Sequence, residues 1–274
     1  MTLYVHDHTY KPNPIFYGTA AYDETKLYLG IELEVECQNS VNQTVTELSR
    51  IRGISSENEV YLKSDGSLRD GFEVVSHPRT MSSHKYFKWQ KIAKSLIAAG
   101  AQSHDSPRCG LHVHFNKSYL TARQQTKFAF WIYSQTQLMD TVSRRSANHY
   151  CQAMFPQKMS ASQVNEPTRY YKVNKHNLHT IEIRQFKGTL KYSSFMAALE
   201  FVAASVNFII ACPVHYLANQ QKALECFLGY LSGTGLVAKK YSHLIKFLRT
   251  AGYTISDERV VWYKLNDLTG TTII

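Results

Sequence analysis

From Leu29 to Glu36 the chain reads Leu-Gly-Ile-Glu-Leu-Glu-Val-Glu, with apolar side chains alternating with small or acidic ones. A period of two predicts a strand over Leu27–Glu36. Short apolar runs bounded by turn residues predict further strands over Val60–Lys63 and Gly71–His77, joined by a turn containing Asp65-Gly66. Another is predicted over Gly110–Asn116, and a strand pair over Arg169–Asn174 and Thr180–Lys187. Longer periodic stretches predict helices over Val41–Arg52, Ser82–Ala99, Thr121–Arg145, Ser193–Cys212 and Lys239–Thr250, with a shorter one near Ala218–Leu228. Ser82 or Ser83 would cap the second and Gly100 stop it. Thr121 would cap the third, whose two closing arginines suit the negative helix end. Strands gathered early and helices interspersed or late predict an α+β fold, with a mainly antiparallel sheet flanked by helices.

Composition narrows the class. The chain has 274 residues, 44% apolar and 19% charged, which is globular and excludes a disordered chain. Residues 1–26 read as an irregular N-terminal lead and residues 27–274 as a single domain. Thirty-one Lys+Arg against 21 Asp+Glu give a net charge of +10, which fits an anionic partner or simply a soluble surface. Five cysteines without a CxxC pair exclude a disulfide scaffold and a cysteine zinc finger, and predict reduced thiols in a cytoplasmic protein. Met1–Pro14 has no apolar core of a secretory signal. The most apolar stretch, Met196–Cys212, contains Glu200 and Asn207 and reads as a buried helix, so no membrane contact is expected. There is no P-loop, and Gly233-Thr234-Gly235 lacks the third glycine of a dinucleotide turn.

The polar faces of the strands carry the chemistry. Residues i and i+2 of a strand share a face about 7 Å apart. Glu32, Glu34 and Glu36 therefore form an acidic row opposite Ile31, Leu33 and Val35. Taken alone, the row is also what a solvated strand would show. Three further segments repeat the division. Glu73 stands inside an apolar strand, His112 and His114 share a face opposite Leu111, Val113 and Phe115, and Glu182 and Arg184 stand opposite two isoleucines. In one sheet, Glu32, Glu34, Glu73 and Glu182 can converge on a histidine. So many carboxylates repel, and several would hold protons unless a divalent cation joins them. Oxygen ligands with one imidazole suit Mg²⁺ or Mn²⁺ better than structural zinc. Arg184 would face the same cavity and suit a phosphoryl group, or pair with Glu182. The histidines alone are equally consistent with a structural pair.

Four ordered segments carry a family resemblance: Gly30–Glu34; Asp65–Leu68 with Gly71–Pro78; Cys109–Phe115; and Ile181–Leu190. Together they resemble the amidoligase family, a branch of the carboxylate–amine ligases that include glutamine synthetase and glutamate–cysteine ligase. The resemblance covers Gly30 to Leu190. It implies a curved, mainly antiparallel sheet of the glutamine synthetase-like catalytic type, making residues 27–274 an amidoligase-like catalytic domain. It implies ATP with Mg²⁺, or Mn²⁺, as cofactors. Glu32, Glu34, Glu73, His112 and Glu182 would be metal ligands. His114 would sit nearer the nucleotide, Arg169 and Asn174 would contact phosphate or substrate, and Arg184 would be the catalytic phosphate-handling arginine. Asp65 would receive the proton of the attacking amine, although Asp-Gly is also a plain turn. The implied reaction joins a carboxylate to an amine of an amino acid, peptide or protein side chain through an acyl phosphate. Arg144 and Arg145 could also reach a phosphate, but a helix end explains them. The loop Ala147–Thr168 reads as either a lid or a surface loop.

Two other classes fit the residues. A metal-dependent hydrolase would use the histidines and glutamates to activate water. A non-catalytic basic module would bind nucleic acid or protein on the same scaffold, although no nucleic-acid motif is present. Substrate identity, the role of residues 191–274 and oligomeric state, with an oligomer possible, stay open at this level.

Overall fold

The alternating segments do form strands, and they meet in one sheet. In the computed structural model the described residues are 3–51, 54, 57–153, 170–232 and 235–257. Strands are numbered in chain order: β1 (Val5–His6), β2 (Tyr28–Cys37), β3 (Val60–Lys63), β4 (Gly71–Ser76), β5 (Arg79–Thr80), β6 (Ala101–Gln102), β7 (Gly110–Asn116), β8 (Val173–Asn174) and β9 (Thr180–Lys187). The helices are α1 (Val41–Ser49), α2 (Met81–Tyr86), α3 (Trp89–Ala98), α4 (Ala122–Ser134), α5 (Thr136–Ser143), α6 (Tyr192–Ala211), α7 (Val214–Leu217), α8 (Gln220–Leu231), α9 (Leu236–Lys240) and α10 (Ser242–Thr250). The order across the sheet is β1-β3-β4-β2-β7-β9-β8, with β5 and β6 pairing to the two ends of β2. Every described pairing between these strands is antiparallel except β1 with β3. The fold is α+β with a mostly antiparallel sheet.

Period two assigns one face of the sheet to the core. Leu29, Ile31, Leu33 and Val35 of β2, Phe72 and Val74 of β4, Leu111, Val113 and Phe115 of β7, and Ile181 and Ile183 of β9 are at most 2% exposed. Helices cover this face. The central one, α6, is apolar nearly all round and buried along most of its length, as a core helix must be. Trp131 of α4, Phe208 of α6 and Phe227 of α8 pack ring on ring at centroid distances of 5.0–5.3 Å. The one carboxylate in α6, Glu200, is fully buried. It accepts hydrogen bonds from His243 Nδ1 (3.0 Å) and Leu244 N (2.9 Å), and Lys85 Nζ lies 3.5 Å away. A burial that would otherwise be costly thus ties α10 and α2 to the core helix.

The structure breaks three of the expected helices, Lys239–Thr250 at Tyr241 between α9 and α10 and two longer ones. Ser82–Ala99 divides at Phe87, whose backbone turns extended (φ −76°, ψ 158°). Its ring packs 3.9 Å from the Arg79 guanidinium and edge-on to Trp89, contacts that no local period encodes. The cap is Thr80, which accepts from Ser83 N, not Ser82 or Ser83. Thr121–Arg145 divides at Gln135, where ψ leaves the helical region and the side chain donates to Gln220 O at 3.0 Å. Thr121 does cap α4, with Gln124 closing a capping box. Between Arg169 and Asn174 the described strand is only β8. Val5–His6, inside the expected irregular lead, pairs with β3 as an edge strand.

His84 generates a test of the packing. Its Nε2 donates to Leu29 O (3.0 Å) and its Nδ1 accepts from Trp89 Nε1 (3.1 Å), so the ring is neutral and fully buried. Burial pushes its pKa down to about 3. The unfolded chain binds this proton below about pH 6.5 and the folded chain does not until about pH 3, so stability falls as pH drops through that window. The linkage is worth about 5 kcal/mol over the whole interval. Urea midpoints measured from pH 7 to pH 3.5 are expected to fall less steeply in His84→Gln, which starts less stable at pH 7.

Candidate functional site

The face of the sheet opposite the helices collects the titratable groups, and strand register decides which of them meet. On β2, Glu32 lies opposite Val75 of β4 and His112 of β7, and Glu34 lies opposite Glu73. On β7, His114 lies opposite Glu182 of β9. Opposed residues of an antiparallel pair share a face, so all seven side chains, six of them titratable, project to one side. Two groups of possible ligand atoms result. In the first, Glu32, His114 and Glu182 place one atom each within 4.8 Å of one another, and in the second Glu34, Asp65 and Glu73 do the same. His112 lies between them. Its Nδ1 is 3.2 Å from Glu32 Oε2 and 3.4 Å from Glu182 Oε1, and its Nε2 is 3.7 Å from Glu34 Oε1. The ring that joins a candidate ligand group is thus His114, expected on the nucleotide side, while His112 bridges the two groups.

Glycine makes this closeness possible at Gly110. Its N–H donates to Glu34 Oε2, and a Cβ there would stand 3.1 Å from His112 Nε2 and 3.2 Å from Glu34 Oε2. A side chain would have to displace one of them. Gly71 is tighter still, because a Cβ would lie 2.2 Å from Val35 O on the neighbouring strand.

Electrostatics shows a cluster short of positive charge. Burial raises the Glu73 pKa, and Glu32, Glu34 and Asp65 add to the rise against the opposing pull of Lys63, so that it reaches about 9. Burial also lifts Glu34, with partial relief from His112 and the Gly110 N–H. Glu32 and Glu182 resist burial. His114 and His112 hold Glu32 well below the usual range, and His114, His112 and Arg184 hold Glu182 below it. His114 is disfavoured by burial but raised by Glu32 and Glu182. Its Nε2 is buried 3.4 Å from Glu32 Oε1 without a well-directed hydrogen bond. A buried ring nitrogen lacking a partner beside a carboxylate fits a cation bound between them. So does a carboxyl forced to keep its proton at neutral pH by burial and by its acidic neighbours. Among the four glutamates Glu32 is the most open, with 24% of its side chain exposed.

Surrounding groups fix the acids. Arg184 Nη1 donates to Glu182 Oε1, and its buried Nε has no partner. Asn174 Nδ2 donates to Glu182 Oε2 at 2.8 Å, and Asn177 Nδ2 reaches the same oxygen at 3.3 Å. Asn174 therefore holds a glutamate. Asp65 does two things. Its Oδ1 accepts from Ser67 N at 2.6 Å, closing the turn, and its carboxylate belongs to the second group. Hydrogen bonds from Ser67 outweigh burial and keep its pKa low.

Glu36 leaves the acidic row. Arg108 grips it through Nε (2.6 Å) and Nη2 (2.9 Å), and Arg69 N adds a third bond. The Arg108 bonds bring its pKa down to about 2. Arg144 Nη2 and Arg145 Nη2 donate to the carbonyls of Lys187 and Cys109, fastening the end of α5 to the sheet. Arg169 and residues 154–168 of the expected lid lie outside the described residues. Two residues of the site face escaped the sequence reading, Tyr61 and Lys63, the latter with Nζ 3.8 Å from Glu73 Oε2. The alternation Val60-Tyr61-Leu62-Lys63 contained the signal, since Val60 and Leu62 are the buried pair.

These contacts separate the acids experimentally. If the two groups bind divalent ions, Mg²⁺ at a hundredfold over its Kd stabilises the fold by about 2.7 kcal/mol. The first group's share of that rise in melting temperature is expected to vanish in Glu32→Gln and Glu182→Gln, leaving the share of the second group. Glu36→Gln is expected to melt earlier than wild type and keep the full Mg²⁺-dependent rise.

Residues 33–160 match the family model described as "Putative amidoligase enzyme". No curated protein matches the sequence. Among solved structures, the complex between the prokaryotic ubiquitin-like protein Pup and its ligase PafA aligns with a TM-score of 0.39 and 10% identity. The alignment covers 90% of this chain and 62% of that one, so the chain spans under two thirds of the length it is compared with. Glu32 immediately precedes the family match and Ile181–Leu190 lies beyond it. Over residues 33–160, a little under half of its length, the chain is similar to the amidoligase family that its motifs resemble.

Proposed function

We propose that the protein is an ATP-dependent carboxylate–amine ligase working through an acyl phosphate, on a sheet of the glutamine synthetase-like catalytic type. The observation that carries this reading is the pair of acid-rich groups joined by His112 on one sheet face, beside an arginine with spare donors. In this reading Glu32, His114 and Glu182 hold one divalent ion and Glu34, Asp65 and Glu73 a second, Mg²⁺ or Mn²⁺ by the oxygen-rich donor set. When bound, the ions and ATP would supply phosphate neutralisation and a phosphoryl group that makes a carboxylate oxygen a leaving group.

The chain's own residues do the rest. Arg184, anchored on Glu182 through Nη1, turns its remaining N–H groups to the transferring phosphoryl oxygens. Asn174 and Asn177 keep Glu182 Oε2 pointed away from Arg184, so the acid can serve two neighbours at once. His112 holds the two groups in register. The amine loses a proton as its nitrogen bonds the acyl carbon and phosphate departs. A carboxylate at the edge of the second group can take that proton, and Asp65, already kept ionised by Ser67, suits the role. Amine and carboxylate come from amino acids, peptides or protein side chains. Support for a protein substrate is limited to the PafA complex, in which Pup is the ligase's partner.

The direct test supplies Mg²⁺, ATP and a pool of amino acids, polyamines and acidic peptides, and follows ADP. ADP release that requires both a carboxylate and an amine is expected. Glu32→Ala and Glu182→Ala are expected to lower it at least a hundredfold while remaining folded. Metal-dependent hydrolysis without nucleotide would instead support a hydrolase. Salt-sensitive nucleic-acid binding unaffected by those substitutions, with no ADP release, would support a binding module.

A further inference from the structure

The site face does not end at the acids. Register continues it in one row across the sheet: Glu32 lies opposite Val75, and Val75 opposite Tyr61 on β3. The next strand outward is β1, supplied by the N-terminal lead, with His6 opposite Lys63. There the aromatic rings gather. Tyr4 and His6 stand at a centroid distance of 3.9 Å, His6 and Tyr10 stack at 3.5 Å with parallel planes, and Tyr10 meets Tyr61 edge-on at 5.7 Å. Tyr61 also meets His77 at 5.4 Å. The platform is held from below. His6 Nε2 lies 3.0 Å from both oxygens of Glu57, and His77 bonds Ile15 N and Glu57 O, which fixes the lead across the end of the sheet. Tyr10 and Tyr61 are each half-buried.

The row therefore changes chemistry in a fixed order. It begins with aromatic rings at Tyr10 and Tyr61, continues over the uncharged Val75, reaches the acids and His112, and ends at Arg184. From β3 to β9 there are four strand spacings of about 4.8 Å, hence about 19 Å. A nucleoside triphosphate presents the same order: planar base, neutral sugar, then phosphates with their cations. Resting on the ligase reading above, the geometry points to Tyr10 and Tyr61 as the subsite that holds the nucleotide's base, one ring stacking on its face and the other meeting its edge, with Lys63 reaching its phosphates. The N-terminal lead, outside the segment that matches the family model, thereby becomes part of the nucleotide site.

Calorimetric titration of the full chain in Mg²⁺ with ATP, and separately with inorganic tripolyphosphate, isolates the base from the phosphates. Expected is a ratio of ATP to tripolyphosphate affinity that falls about tenfold or more in Tyr10→Ala and in Tyr61→Ala, the size of a lost base–aromatic stack. Tripolyphosphate affinity stays at the wild-type value in both, and Tyr10→Phe keeps the wild-type ratio. Because Tyr61 lies within a strand, unchanged tripolyphosphate binding is also the check that its variant remains folded, and Tyr10, in a loop, stands as the independent variant. An unchanged ratio with tripolyphosphate still bound overturns the base subsite and leaves the metal–phosphate reading intact. Failure of both ligands to bind wild-type protein in Mg²⁺ overturns the ligase reading and the subsite together.

Discussion

Glu34 and Glu73 are fixed opposite one another by the hydrogen bonds between β2 and β4, and their backbone positions cannot separate without breaking the sheet. Like charges directly across an antiparallel pair are destabilising. Here the repulsion is sharpened by burial and by Asp65 and Glu32 nearby. The rest of the site can be understood as a response to this constraint. His112 bridges the acids, the Gly110 N–H engages Glu34, Lys63 approaches Glu73, and Glu73 itself retains a proton. None of these supplies a full second positive charge. A divalent ion in each group would, and that is why the acids are read as ligands.

The core face makes the arrangement affordable in structural terms. Leu29, Ile31, Leu33 and Val35 are buried against helices while their alternate neighbours carry the chemistry, so one strand serves both purposes. Glu200 applies the opposite solution to the same problem. It is buried in an apolar helix, but a histidine, a lysine and a backbone N–H surround it. Its needs are met, and it carries no role in the site. Glu36 is likewise removed from the site by a bidentate arginine.

Much of this was legible in the sequence where a period of two is local. The acidic row of β2, the histidines of β7 and the Glu182–Arg184 pair can be placed on a face from alternation alone. What alternation cannot give is the partner across the sheet. That His114 joins Glu32 and Glu182 while His112 bridges both groups depends on register, including the irregularity between Leu111 and Val113 in the pairing of β7 with β9. The break at Phe87 depends on Arg79 and Trp89, and the fate of Glu36 on Arg108. The aromatic edge was hidden for a different reason. Two residues, Val5–His6, are too short to show a period, yet their parallel pairing with β3 brings the lead to the site face.

The claim that the two acid groups are cation sites is tested most directly by counting ions. Metal-free protein titrated with Mn²⁺, with free Mn²⁺ followed by electron paramagnetic resonance, is expected to bind two ions per chain, one for each group. Glu182→Gln is expected to lose one and Glu73→Gln the other, with each variant retaining its native circular dichroism. Absence of binding in the wild type, or an ion count unchanged by both substitutions, would contradict the account.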